Sequence, residues 1–128
     1  MAFSRELIQP VTTQTINSAA TYTSAQQDIG ADTIADQIFL YLDVAGFAAA
    51  PTGTMEVMIA PVHTNVGADY DDAGIWHPFT VSADAAYVFA IPLSSLPRYF
   101  KVLVKNNTDQ HTDASAVDCR IEYQAVTA

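Results

Sequence analysis

A chain of 128 residues, 50% of them hydrophobic, has room for one domain with a core of its own, and its single cysteine excludes an intrachain disulfide. The formal net charge of −9 argues against a nucleic-acid partner, since phosphate binding rests on clustered Lys and Arg, and none is expected. No apolar run is long enough for a membrane span or a secretory leader, and the expectation is a soluble protein made in a reducing cytoplasm.

Residues 1 to 12 mix polar side chains with Phe3, Leu7, Ile8 and Pro10 at neither helical nor strand period. They are expected to form an extended N-terminal arm, laid on its own domain or on a neighbouring subunit, ahead of a single domain over 13 to 128. Thr12 to Ser24 alternates as an exposed strand suited to a sheet edge. Asp28-Ile29-Gly30-Ala31-Asp32 carries turn chemistry. A helix there would stack Asp28, Asp32 and Asp36 four residues apart, and like charges at that spacing repel.

Gln37 to Val44 sets Ile38, Leu40, Leu42 and Val44 on one face and Phe39, Tyr41 and Asp43 on the other. Apolar mass on both faces predicts a central strand. Gly46 to Gly53 is a loop. Thr54 to Ala60 then alternates Met55, Val57 and Ile59 against Glu56 and Met58. Asn65 to Pro78 is irregular and long enough to be functional. Phe79 to Ser82 is a short strand, and Tyr87, Phe89 and Ile91 share a face of another that stops at Pro92.

Leu96 to Thr108 contains a strand and both its boundaries. Phe100, Val102 and Val104 share one face, Tyr99, Lys101, Leu103 and Lys105 the other, and Asn106-Asn107-Thr108 is read as the exit turn. After a polar loop, Ala116 to Val126 points Val117, Cys119, Ile121 and Tyr123 inward and Asp118, Arg120, Glu122 and Gln124 outward. About seven strands and no convincing helix predict an all-β protein, an antiparallel β-sandwich of jelly-roll type.

The basic residues are unevenly spread. Between Glu6 and Pro97 there is no Lys or Arg, whereas Arg98, Lys101, Lys105 and Arg120 lie in the last quarter, with Arg5 alone outside that group. A solubilising acidic surface accounts for the sum. The layout also allows a basic face to meet an acidic face between copies.

No residue pattern points to catalysis. There is no Gly-x-Ser-x-Gly elbow or phosphate-cradling glycine loop, and an inward Cys119 behaves as a small hydrophobe. Asp69, Asp71 and Asp72 lack the ligand series of a calcium loop, and His63, His77 and His111 are too scattered for zinc, so neither metal nor other cofactor is expected. Tyr70 and Trp76 are the binding candidates of the long loop. Aromatic faces beside carboxylates suit sugar rings, while the competing reading has Trp76 folded down as a plug over one end of the sandwich.

Three stretches carry a resemblance: Ile38-Phe39-Leu40-Tyr41-Leu42-Asp43-Val44, Gly53-Thr54-Met55-Glu56-Val57 and Leu96-Pro97-Arg98-Tyr99-Phe100-Lys101-Val102. On them the chain, from about residue 36 to 107, resembles the small β-sandwich virion proteins of tailed bacteriophages, especially head decoration or cement proteins and tail-associated modules. The resemblance implies a non-enzymatic, multicopy structural protein of the virion. Joined to the charge layout, it leads to the expectation of a capsid decoration protein, a homo-oligomer and preferentially a trimer, that clamps the major capsid protein. Phe3, Arg5, Leu7 and Ile8 of the arm would reach a neighbour, and Arg98 or Lys101 would pair with acidic groups across a subunit boundary. The alternative is a carbohydrate-binding or tail-associated adhesion module acting through Tyr70 and Trp76.

Overall fold

The computed structural model describes residues 2–63, 70–71 and 74–127. Among these it contains strands and no helix: β1 (Ala2–Gln14), β2 (Thr21–Thr23), β3 (Gln27–Asp28), β4 (Thr33–Val44), β5 (Gly53–Pro61), β6 (His77–Val81), β7 (Tyr87–Leu93), β8 (Tyr99–Thr108) and β9 (Val117–Thr127). One sheet runs β1-β9-β4-β7 and the other β2-β8-β5-β6, with β3 also pairing to β8. Every pairing between these strands is antiparallel.

The pairings nest. β1 pairs with β9, β2 and β3 with β8, β4 with β7, and β5 with β6, so the chain is one long hairpin wrapped around a barrel-like core. With β2 and β3 counted as two halves of one strand position, this is the jelly-roll winding. It sends most neighbours in sequence to opposite sheets, β5 and β6 excepted, and β8 and β9 are the pair for which that matters most.

Alternation does most of the local work. Ile38, Leu40, Leu42 and Val44 of β4 and Val117, Cys119, Ile121 and Tyr123 of β9 face Met55 and Val57 of β5 and Phe100, Val102 and Val104 of β8 across the interior, all buried. Ile59 and Phe89 are half-buried against this core. One side of the sandwich is closed by aromatic rings. Phe79 of β6 stacks on Phe89 of β7 at 4.3 Å, Phe89 on Tyr87 at 5.5 Å, and Phe47 meets Tyr87 edge-on at 6.3 Å. Phe47 is fully buried although it sits in a loop, where its backbone N–H donates to Asp84 Oδ1 at 2.9 Å.

The N-terminal segment is not an arm. It is β1, in register with β9 from Ala2 opposite Thr127 to Gln14 opposite Val117, with two irregularities around Val11. Ile8 packs on the core and Pro10 and Val11 are buried, so residues 2 to 14 belong to the domain. The reason the strand period is hard to read is those irregularities, where Thr13 has φ of 46° and each extra residue moves the following side chains to the other face.

Two boundaries also differ from the sequence reading. β4 begins at Thr33 and crosses a bulge between Asp36 and Phe39, with Gln37 at φ 49°, so that Ala35 and Ile38 both point inward although three residues apart. β8 continues through Asn106-Asn107-Thr108, and Asn106 is completely buried. Its side chain replaces a turn with a cross-link to two loops. Asn106 Nδ2 donates to the carbonyls of Ile16 (3.0 Å) and Gln110 (2.8 Å), and Asn106 Oδ1 accepts from Thr108 N–H and Oγ1. The turn at 28–32 forms as expected, with Asp28 Oδ1 accepting from Gly30 N–H at 2.8 Å and Gly30 at φ 101°.

Cys119 is buried between the sheets, and burial pushes its thiol up from 9.0 to about 12. The unfolded chain therefore releases this proton at lower pH than the folded one. The stability contribution is fully present below about pH 9 and is lost as pH rises toward 12, at about 1.4 kcal/mol per pH unit. Urea titrations of the wild type and Cys119→Ala at pH 8 and pH 10 check this: the wild type should lose about 1 to 2 kcal/mol more than the variant over that interval.

Candidate functional site

The two sheets present very different outer faces. On the β2-β8-β5-β6 sheet the outward Met58, Ala60 and Leu103 are buried, because Tyr70 and Trp76 from the long loop lie over them. Lys101 places its ammonium 4.8 Å from the Tyr70 ring centroid and Lys105 lies 6.0 Å from that of Trp76. Tyr70 and Trp76 thus rest on a sheet face, and both rings are engaged within the chain. Of the carboxylates considered as calcium ligands, Asp69 and Asp72 lie outside the described residues, and no group of three or more metal-ligating side chains occurs among those described.

Arg98 is likewise engaged. Its Nε lies 3.2 Å from Asp28 Oδ1 and its guanidinium stands 4.7 Å from the Tyr99 ring centroid. The Gly30 N–H and then Arg98 hold the Asp28 carboxyl below its ordinary value. Arg98 and Lys101, either of which was expected to pair across a subunit boundary, thus both have partners inside the chain. Nor do the late basic residues form one face. Arg98, Lys101 and Lys105 accompany β8 on one sheet, while Arg120 is on β9 in the other, since the jelly-roll winding separates those strands.

No segment of the described chain covers the outer face of the β1-β9-β4-β7 sheet in this way. Register places Phe3, Val126 and Ile34 in one row across it, Arg5, Gln124 and Asp36 in the next, then Leu7, Glu122 and Phe39. Arg120 and Tyr41 follow, and then Asp118, Asp43 and Val88. Phe3 (61%), Leu7 (51%), Ile34 (69%), Phe39 (39%) and Val88 (67%) are all exposed there. Only Ile75, in the long loop, is a comparably exposed large apolar side chain elsewhere among the described residues.

Polar links stiffen this surface. Arg5 Nη1 donates to the Gln37 carbonyl, freed by the bulge, at 3.0 Å, and Nη2 lies 3.9 Å from Glu122 Oε2. Arg120 is paired with Asp43 and sits 4.6 Å from the Tyr41 ring centroid, and Tyr41 stacks on Phe39. Between Phe3 and Phe39 is a shallow hollow of about 350 Å³ lined also by Ser4, Arg5, Gln37 and Gln124.

No family model and no curated protein matches the chain. A solved structure, dimeric latent PorU from Porphyromonas gingivalis, contains a similar arrangement with a TM-score of 0.52 and 10% sequence identity. The match spans 99% of this chain but 13% of that one. At this identity the likeness is one of fold, and it carries no residue role across.

Of the residues singled out from sequence, Phe3, Arg5 and Leu7 thus share one exposed face, Ile8 packs on the core, and Arg98, Lys101, Tyr70 and Trp76 belong to the opposite side. Ile34, Phe39, Tyr41, Val88 and Arg120 complete the exposed face and were not singled out. The signal was present in Phe39 and Tyr41, apolar residues on the second face of a strand expected to be central, as β4 is between β9 and β7; alternation does not say which second face stays exposed.

Proposed function

We propose that this protein is a non-catalytic structural component of a tailed-phage particle, a decoration or cement protein that attaches to the major capsid protein through the outer face of the β1-β9-β4-β7 sheet. The observation that supports this reading is the asymmetry of the two outer faces. One is sealed by the chain's own Tyr70 and Trp76, while the other exposes Phe3, Leu7, Ile34, Phe39 and Val88 between fixed ion pairs. Contiguous exposed apolar surface rimmed by polar groups is characteristic of interaction sites. A sheet surface whose charges are largely paired with one another suits repeated low-affinity attachment, because multiplicity raises avidity without new contacts. The sugar-binding alternative draws less support, since the rings it would use rest on the sheet beneath lysine side chains.

The test is reattachment to particles of the encoding phage stripped of this protein. Ile34→Glu combined with Phe39→Glu should weaken occupancy at least about tenfold with an unchanged melting temperature, because both side chains are already solvent-facing. Trp76→Ala should leave occupancy intact. Full occupancy by the double variant, or glycan binding abolished by Trp76→Ala, would reverse the assignment.

A further inference from the structure

The sheets have four free edges among the described residues, and three of them are protected against pairing. The β2/β3 position is broken into pieces of three and two residues, β6 carries Pro78 within its five residues, and β7 carries Pro92. Short strands and prolines are the usual means by which an edge is denied a partner. β1 differs: from Ala2 to Ile8 it is an unbroken run in regular register, with its irregularities and Pro10 only beyond Ile8.

That run is symmetric in character about its centre. Reading outward from Arg5, Ser4 and Glu6 are polar, Phe3 and Leu7 are large and apolar, and Ala2 and Ile8 are apolar. A sequence of this kind complements itself when turned end for end. We propose that two copies of this chain pair antiparallel through their β1 edges, with a two-fold axis at Arg5, joining two four-stranded sheets into one of eight.

The register follows from strand geometry. Directly opposed residues in an antiparallel pair lie on the same face, so the axis must pass through a residue and not between two. An axis at Ser4 would set Phe3 against Arg5 of the second copy, and one at Glu6 would set Leu7 against Arg5. Only an axis at Arg5 opposes Phe3 to Leu7 twice on the outer face, and Ser4 to Glu6 and Ala2 to Ile8 on the other. The two Arg5 side chains do not oppose this. Each guanidinium reaches across β9 to the Gln37 carbonyl of β4 and toward Glu122, away from the free edge. The pairing replaces the trimer inferred from sequence with a dimer and stands independently of the virion role. It would also align the exposed apolar rows of both copies on one surface.

Sedimentation of the full chain over a range of concentrations should show a monomer–dimer equilibrium. Phe3→Lys with Leu7→Lys, which changes only exposed side chains, should raise the dissociation constant at least about tenfold without altering the melting temperature. Register is read by oxidation. Arg5→Cys should cross-link the dimer, because opposed positions fall within disulfide reach, whereas Leu7→Cys, facing Phe3, should not. Cys119 is buried and stays out of this chemistry. A monomer at every concentration, a trimer mass, a lysine variant that dimerises like the wild type, or Leu7→Cys cross-linking as readily as Arg5→Cys would each overturn the proposal.

Discussion

Replacing Phe100 by Ala should lower the unfolding free energy by about 3 to 5 kcal/mol, measured by urea titration at neutral pH. Phe100 is among the largest fully buried side chains and sits on β8 opposite Pro61 of β5 and Gln27 of β3, where the interior meets the second sheet. Truncation removes the transfer free energy of a ring and leaves a hole that two hydrogen-bonded sheets close only in part. A loss of that size is a large share of the roughly 5 to 15 kcal/mol available to a domain of this length. The control is Phe3→Ala, the same change on a ring that is 61% exposed, which should stay within about 0.5 kcal/mol. Equal losses at the two positions would mean that the inner and outer faces of the sandwich are wrongly assigned.

Asn106→Leu should also be damaging, by about 2 to 3 kcal/mol, although it makes the interior more apolar. Its amide donates to the carbonyls of Ile16 and Gln110 and accepts from the N–H and hydroxyl of Thr108. Leucine would leave the Thr108 N–H without its acceptor and take one donor each from the Ile16 and Gln110 carbonyls, which keep Thr112 N–H and Thr108 Oγ1; a buried unpaired polar group costs about 1 to 3 kcal/mol. Thr112 holds both backbone groups of Ile16, its Oγ1 accepting from the Ile16 N–H at 2.9 Å and its N–H donating to the Ile16 carbonyl at 3.1 Å, and losing the additional Asn106 donor should loosen the plug that Ile16 forms. Asn106→Asp separates hydrogen bonding from size. An ionised carboxylate would point acceptors at two carbonyls, so its folded pKa should be raised and the variant should regain stability as pH falls from 7 toward 4. Hydrogen exchange at Ile16 and Thr112 reports the same loosening locally. A variant as stable at pH 7 as at pH 4 relative to wild type would count against the network.

What the sequence by itself determined is the class of the fold and most of its interior. Period-two alternation is a local property, so Ile38 to Val44, Phe100 to Val104 and Val117 to Tyr123 reveal their buried faces without knowledge of their partners. Turn chemistry at Asp28-Ile29-Gly30 is equally local. The positions that only the tertiary structure decided are those where a residue's role depends on something far along the chain. Asn106 reads as a turn former until Ile16 and Gln110 arrive beside it, and Phe47 reads as loop until Tyr87 and Asp84 enclose it. The bulges at Gln37 and Thr13 shift side chains between faces and break the period at the start of β4 and in β1 beyond Ile8. Most consequential is the winding. Alternation says that Met58 and Leu103 share a character with Phe39 and Ile34, apolar residues on a second face. Which set is covered was settled by where the chain returned: Tyr70 and Trp76 lie over one sheet, and among the described residues the face that presents Phe3, Leu7, Ile34 and Phe39 is left to solvent.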